Sequence, residues 1–459
     1  MREKLASRLG FILLSAGCAI GIGNVWRFPY IAGQSGGGWF VLIYLFFLAV
    51  LGIPVLVMEF AVGRAAQKSL AKVHETLTPE HKAWRAHGVA GLLGNVLLMM
   101  FYTTVTGWMF LYFLKIASGL FPGLDLEPCN AHSAVATFGG MLGDPVRQTE
   151  AVAGVCIGSA AICAIGLQKG LERITKWMML ALLALIVVLA ANSVRLDGAG
   201  EGLRFYLVPD FARMKSVGIL TVVANAMNQA FFTLSLGIGA MTIFGSYIGR
   251  ERTLLGEAVN VAVLDTGVAI CAGLIIIPAC FAYDVSPGQG PGLIFITLPE
   301  VFGHMPHGRV WGALFFLFMS FAALSTVLAV FENIIASIRD YTGWGRIATC
   351  AVVGAGIAAL SVPCILGFNA WSAFQPFGEG SNVLDFEDFL VSDLLLPLGS
   401  LAFAVYCCHR YGWGWEKFLA EANAGEGLRF PRRARLYCAY VLPSVIVLIF
   451  ILGLVRRFA

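Results

Sequence analysis

Apolar residues run in blocks of about twenty along nearly the whole chain, separated by short polar, glycine-rich or proline-rich stretches. A block of that length crosses a hydrocarbon core of about 30 Å as a helix. Glycine, proline and charge punctuation places eleven spans near 9–32, 38–63, 88–116, 151–167, 174–194, 216–247, 254–283, 308–338, 346–366, 384–408 and 436–455. The expectation is an all-α polytopic membrane protein, one transmembrane domain over 1–459 with no separate soluble part. The charged N-terminal stretch runs into the first block with no small-residue cleavage pattern, so it reads as a retained helix.

Composition sharpens this picture. Of 459 residues, 58% are hydrophobic and 13% charged, against roughly 25% charged in soluble domains. A net charge of +4 gives nucleic-acid binding no support. With the N-terminus cytoplasmic, 21 of the 31 Lys and Arg residues fall on the inside, nine on the outside and Arg27 within a span, which is the bias expected of a multi-pass protein of a bacterial inner membrane. Ten of the eleven cysteines lie in or beside apolar blocks and read as buried small hydrophobes. An intramembrane enzyme would need a nucleophile with its base, or a metal cluster, and the seven histidines (74, 81, 87, 132, 304, 307 and 409) all read as lying outside the spans.

Two spans carry an interruption: Ala19-Ile20-Gly21-Ile22-Gly23-Asn24 in the first and Thr233-Leu234-Ser235-Leu236-Gly237-Ile238-Gly239 in the sixth. Glycines alone would equally suit close helix packing. Asn24, Gln229, Thr233 and Ser235 beside them point instead to unwinding at membrane depth, tolerated only where backbone is buried or lines a cavity. Such a break offers carbonyls to a cation and N–H groups to a carboxylate, and two breaks five spans apart suggest inverted repeats.

The stretches GCAIGIGNVWRFPYIAGQSGGGWF, GIPVLVMEFAVGR and NQAFFTLSLGIG resemble the neurotransmitter:sodium symporter family, and the likeness extends over essentially the whole chain. It implies repeats over about 9–194 and 216–408 and a peripheral helix at 436–455, without the twelfth span of animal members. It implies two Na+ sites: one from the carbonyls of Gly17, Ile20 and Ala322 with the Ser325 and Thr326 hydroxyls, and one from Ala19, Asn24, Thr233 and Asp265 completed by the substrate carboxylate. Oxygen ligands suit a hard cation. Chloride-dependent members place Asn where Asp265 stands and Ser where Ala269 stands, so no chloride is expected. A protonated or helix-capping Asp265 is the structural alternative, since a carboxylate at this depth needs a partner. Glu59 is read as supporting the same polar network.

By the same likeness the substrate carboxylate meets the Ile22 and Gly23 N–H groups and the Tyr102 hydroxyl. Its amino group meets carbonyls of Ala19, Phe232 and Thr233, with Ser235 and Thr326 nearby, and its side chain meets Leu98, Phe232, Ile238 and Val330. The lining is apolar and implies a neutral, hydrophobic L-amino acid, a small one being the alternative because Gly237 and Gly239 leave the cavity depth open. Implied gates are Arg27 with Asp388 and Gln229 outside, and Arg2 with Asp340 inside; Asp388 and Asp340 as plain helix-end carboxylates are the alternative. Departures are Leu5, where many relatives have Trp, and Leu180, where several bacterial relatives have Pro. Competing readings are a proton-coupled transporter of another small amine or amino acid, or a channel or non-transporting substrate sensor on the same scaffold.

Overall fold

The computed structural model describes residues 3–118, 131–284 and 292–458. The implied latch residue Arg2 lies outside them. The first span is a bent pair, α1 (Arg8–Ala19) and α2 (Gly23–Gln34), meeting at 57°. There follow α3 (Gly38–Ala66), the short α4 (Leu70–Leu77), α5 (Lys82–Ser118), α6 (Ala131–Leu142), α7 (Pro145–Ile165) and α8 (Leu167–Ser193). Two short helices, α9 (Ala199–Leu207) and α10 (Phe211–Val217), lead into the sixth span, itself split into α11 (Ile219–Phe232) and α12 (Ala240–Gly245). The rest comprises α13 (Leu254–Ala282), α14 (Leu293–His304), α15 (Gly308–Thr342), α16 (Arg346–Leu366), α17 (Val383–Cys408), α18 (Trp415–Ala422) and α19 (Arg432–Val455). All eleven expected spans are present as helices, the first and sixth broken.

The chain marks its own irregularities. Six helical turns among the described residues are widened to the i→i+5 pattern, and five of them (Gly23–Arg27, Leu48–Gly52, Leu293–Thr297, Phe389–Leu395 and Tyr437–Val441) end two residues before a proline, at 29, 54, 299, 397 and 443. Proline lacks an N–H and its ring crowds the carbonyl four residues back; a widened turn takes up that crowding without breaking the helix. The sixth, Leu167–Glu172 at the start of α8, has no proline and follows Gly166 at φ +117°.

The core is a single apolar cluster in which α15 packs most extensively on α5, and α1 lies against α15, α13 and α8. At the N-terminal side, Glu172 on α8 accepts from the backbone N–H groups of Ala6 (2.8 Å) and Ser7 (3.2 Å), while the Ser7 hydroxyl caps Gly10 at 3.0 Å. This ties the start of α1 to α8. His87 corrects the expectation that all histidines lie outside the spans: it is inside α5, and His74, on the short α4 outside the spans, approaches its Nδ1 at 3.1 Å. Burial, reinforced by His87, pushes His74 down to about 2, so the pair is a neutral packing contact beneath Trp84 and Tyr406.

Arg64, 1% exposed at the end of α3, meets the Glu421 carboxylate on α18 at 2.8 Å and also donates to the Glu421 carbonyl. Removing one partner of a buried pair leaves an uncompensated charge. Glu421→Gln is expected to destabilise the protein by about 3 kcal/mol, read as a lowered melting temperature in detergent; an unchanged melting temperature would show that the backbone carbonyls around Arg64 suffice.

Candidate functional site

Backbone accounting locates the site. Where α1 stops, the Ile20 N–H still reaches the Ala16 carbonyl, but the Ile22 N–H turns away and donates to the Tyr102 hydroxyl of α5 at 2.8 Å. The Gly21 N–H approaches Asn24 Oδ1 at 3.4 Å. In the sixth span, Ser235, Gly237 and Gly239 all have positive φ (50°, 100° and 74°), so the chain between α11 and α12 cannot continue a helix. Its freed groups find partners: Gly237 N–H donates to Glu59 at 2.6 Å and the Ile238 carbonyl accepts from Asn95 at 2.8 Å. Glu59, read from sequence as a supporting group, holds the break open.

Between the two breaks lies a narrow cavity lined by Ala19, Gly21, Gly23, Asn24, Leu98, Tyr102, Phe232, Thr233, Ser235, Ile238, Thr326, Val391 and Leu396. It leaves about 20 Å³ for the centres of water-sized spheres, room for one or two waters. Most of the substrate residues expected from sequence are in this lining; Ile22, whose N–H is held by Tyr102, is not, and neither is Val330, buried on α15. Its place is taken by Val391 and Leu396 of α17, which the sequence reading missed; the widened turn before Pro397 is the signal that could have drawn attention to them. Gly21 was missed too, and is required: a Cβ there would run into the Tyr102 and Thr326 hydroxyls.

Two oxygen clusters flank the cavity. On one side, the Ser325 hydroxyl lies 2.8 Å from the Ala322 carbonyl and 3.3 Å from that of Ile20, and the Thr326 hydroxyl lies 3.2 Å from the carbonyls of Gly17 and Ile20. All five oxygens expected for one sodium thus converge between the end of α1 and α15. On the other side, Asp265 accepts from Asn24 at 2.7 Å and from the Thr233 hydroxyl at 2.8 Å, so α2, α11 and α13 meet there. The Tyr44 hydroxyl is buried beside Thr233, Thr266 and Asp265 without a hydrogen-bond partner, and the Gln229 Oε1 and Thr266 hydroxyl are likewise unpartnered. The residues fit bound cations: oxygen donors, buried and partly unsatisfied. The lone tyrosine in the apolar α3 was the available cue to Tyr44.

The expected gates stand differently. No ion pair joins Arg27 to Asp388; the Arg27 guanidinium sits over the Phe232 ring, 4.1 Å from its centroid, while Asp388 accepts from Ser392 at 2.6 Å. The Gln229 side chain is buried and reaches the Gly23 carbonyl at 3.4 Å. Asp340 accepts from the Ser69 N–H (2.9 Å) and hydroxyl (2.8 Å), with Lys68 at 3.4 Å. A network not foreseen from sequence closes the same N-terminal side: Arg346 contacts Glu332 at 2.6 Å, and Tyr247 donates to Glu332 at 2.8 Å. A charged residue inside a span, as Glu332 is, was its visible sign. Arg346 and Tyr247 border a cavity of about 520 Å³ whose lining also includes Glu3, Arg339 and Asp340.

The comparisons with known proteins agree with this geometry. The model of the "Sodium:neurotransmitter symporter family" matches residues 2–134 and 141–458. An uncharacterised sodium-dependent transporter of Bacillus subtilis is 33% identical over 97% of this chain and 96% of its own length. One from Methanocaldococcus jannaschii is 32% identical over 87% and 80%. Among solved structures, MhsT in complex with L-phenylalanine superposes with a TM-score of 0.87 at 36% identity, covering 98% of this chain and 99% of that one.

Gly237→Ala tests the break itself. A Cβ there meets the Leu396 carbonyl and the Ser400 amide, backbone atoms that cannot swing away, at a φ of +100°. The expected result is a ligand affinity weaker by about 5–150-fold, from a backbone strain of about 1–3 kcal/mol, measured by equilibrium binding; unaltered binding would mean that the break adapts.

Proposed function

We propose that this chain, which belongs to the sodium:neurotransmitter symporter family, moves a neutral, hydrophobic L-amino acid together with sodium by alternating access, without chloride. The observation that carries this reading is the convergence of two buried oxygen clusters on one cavity between two broken helices. The relatives' description as sodium-dependent transporters supports the cation, and L-phenylalanine in MhsT supports the substrate class.

In this reading the carbonyl end of α1 and the hydroxyls of α15 hold one sodium. Ala19, Asn24, Thr233 and Asp265 hold the other, which the substrate carboxylate completes. The start of α2 presents the Ile22 and Gly23 N–H groups to that carboxylate, assisted by the helix dipole. Tyr102, occupied with Ile22 in the structure, turns its hydroxyl proton to the same anion. Because substrate and sodium share ligands, each strengthens the other's binding, and this coupling is reciprocal. Asp265 supplies locally the negative charge that balances the cation. The halves 9–194 and 216–408 act as inverted repeats in the inner membrane, with the N-terminus in the cytoplasm. Arg27 with Phe232 and Gln229 closes the outside, and Asp340 with the Arg346–Glu332–Tyr247 network closes the inside.

The test is equilibrium binding of labelled neutral amino acids to purified protein in sodium or potassium, chloride or gluconate. Sodium-dependent, chloride-indifferent binding of a hydrophobic amino acid is expected; binding equal in potassium and sodium contradicts the coupling. Thr326→Val removes one ligand hydroxyl, and the half-saturating sodium concentration is expected to rise about 10–100-fold, from the 1.5–3 kcal/mol of a charge-assisted contact; an unchanged value excludes this residue from the site. Asp265→Asn leaves the Tyr44, Thr266 and Gln229 polar atoms facing a cation with no counter-charge. Its binding is expected to become chloride-dependent, whereas full activity in gluconate would show that the Asp265 charge is dispensable.

A further inference from the structure

Seven carboxylates are buried among the described residues. Six of them, Glu59, Glu172, Glu257, Asp265, Glu332 and Glu421, receive a backbone, amide, hydroxyl or guanidinium donor. Glu387, 3% exposed in the first turns of α17, does not. Its Oε2 has no hydrogen-bond partner, and among the described residues no Lys, Arg or His forms an ion pair with it.

The helices packed on this turn offer no charge to balance an anion. From α16 comes the Cys364 thiol, and from α5 the Thr104 hydroxyl behind that thiol. Its own helix adds Asp385, which accepts from the Asn382 N–H, and Asp388, which accepts from Ser392. Two neighbouring acids and an apolar wall make an ionised carboxylate at this depth very costly. A protonated carboxyl solves the problem: its O–H becomes a donor and the charge disappears.

The position also matters. Glu387 precedes Asp388 and lies one turn before Val391, which lines the cavity; between it and the lining residue Leu396 is the widened turn Phe389–Leu395. Widened turns are places where helices yield. Movement of the first turns of α17 away from α5 and α16 would wet the Glu387 carboxyl.

We propose that Glu387 is a proton-binding site linked to the far-side pathway: it holds a proton while α17 is packed on α5 and α16, and gives it to water when that packing opens. The step breaks the carboxyl O–H bond and passes the proton to solvent, and closure takes a proton back from the same water. The open-to-closed ratio therefore changes up to tenfold per pH unit in the range where the open carboxylate is ionised.

Difference infrared spectroscopy of the purified protein at mildly acidic pH, which favours the closed, protonated state, wild type minus Glu387→Gln, gives the direct answer. Loss of a protonated carboxylic acid carbonyl band is expected; a difference spectrum showing only loss of an ionised carboxylate overturns the proposal. Calorimetry of L-phenylalanine binding at neutral to alkaline pH, in two buffers of different ionisation heat, tests the linkage. Wild type is expected to take up close to one proton per ligand and Glu387→Gln none; equal uptake by both overturns the link. The calorimetric arm rests on the amino-acid reading above, so absence of binding counts against that reading, while the infrared result still decides the proton. Glu387→Met, which fills the same space without a polar atom, serves in both measurements if the amide variant does not fold; retained stability in that variant is expected, because the carboxyl makes no ion pair.

Discussion

In a hydrocarbon surrounding every backbone N–H and C=O must find a partner within the protein, and the rest of this structure depends on that constraint. Two helices are broken at the same depth, so two sets of freed backbone groups must be satisfied. Tyr102 and Asn24 take the first break, Glu59 and Asn95 the second. The cavity between the breaks is lined by residues of both, among them Asn24, Thr233 and Ser235. The polar residues buried in the middle of the bundle are thus consequences of the broken helices.

The same constraint explains how the bundle can be rigid in some places and yielding in others. α15 and α5 form the most extensive helix pair of the core. The widened turns before Pro29 and Pro397 lie in helices that border the cavity, where a looser hydrogen-bond ladder lets one half of a helix tilt against the other. The charged contacts sit on either side of those turns. Arg64 with Glu421 and Arg346 with Glu332 hold the N-terminal side, and Arg27 against Phe232 marks the other.

Much of this was legible in the sequence because membranes impose strong patterns. Apolar block length gave all eleven spans, and glycines beside Asn24, Thr233 and Ser235 gave both breaks. The expected cluster at Gly17, Ile20, Ala322, Ser325 and Thr326 followed from motif likeness, and these oxygens do converge. Residues placed by tertiary packing were less visible. Val330 and Val391 are equally apolar, and only the crossing of α17 over the cavity decides that Val391 lines it. Arg27 and Asp388 are of opposite charge, yet the cation meets an aromatic face instead. Glu332 and Arg346 are separated by a turn between helices, so their pairing depends on how α15 and α16 meet.

The most direct test of the central claim is uptake of radiolabelled L-phenylalanine into proteoliposomes, with an inward sodium gradient imposed and then abolished. Concentrative accumulation that requires the gradient, and that collapses when sodium is equal on both sides, is the predicted result. Accumulation that ignores sodium and follows an imposed proton gradient would contradict the account.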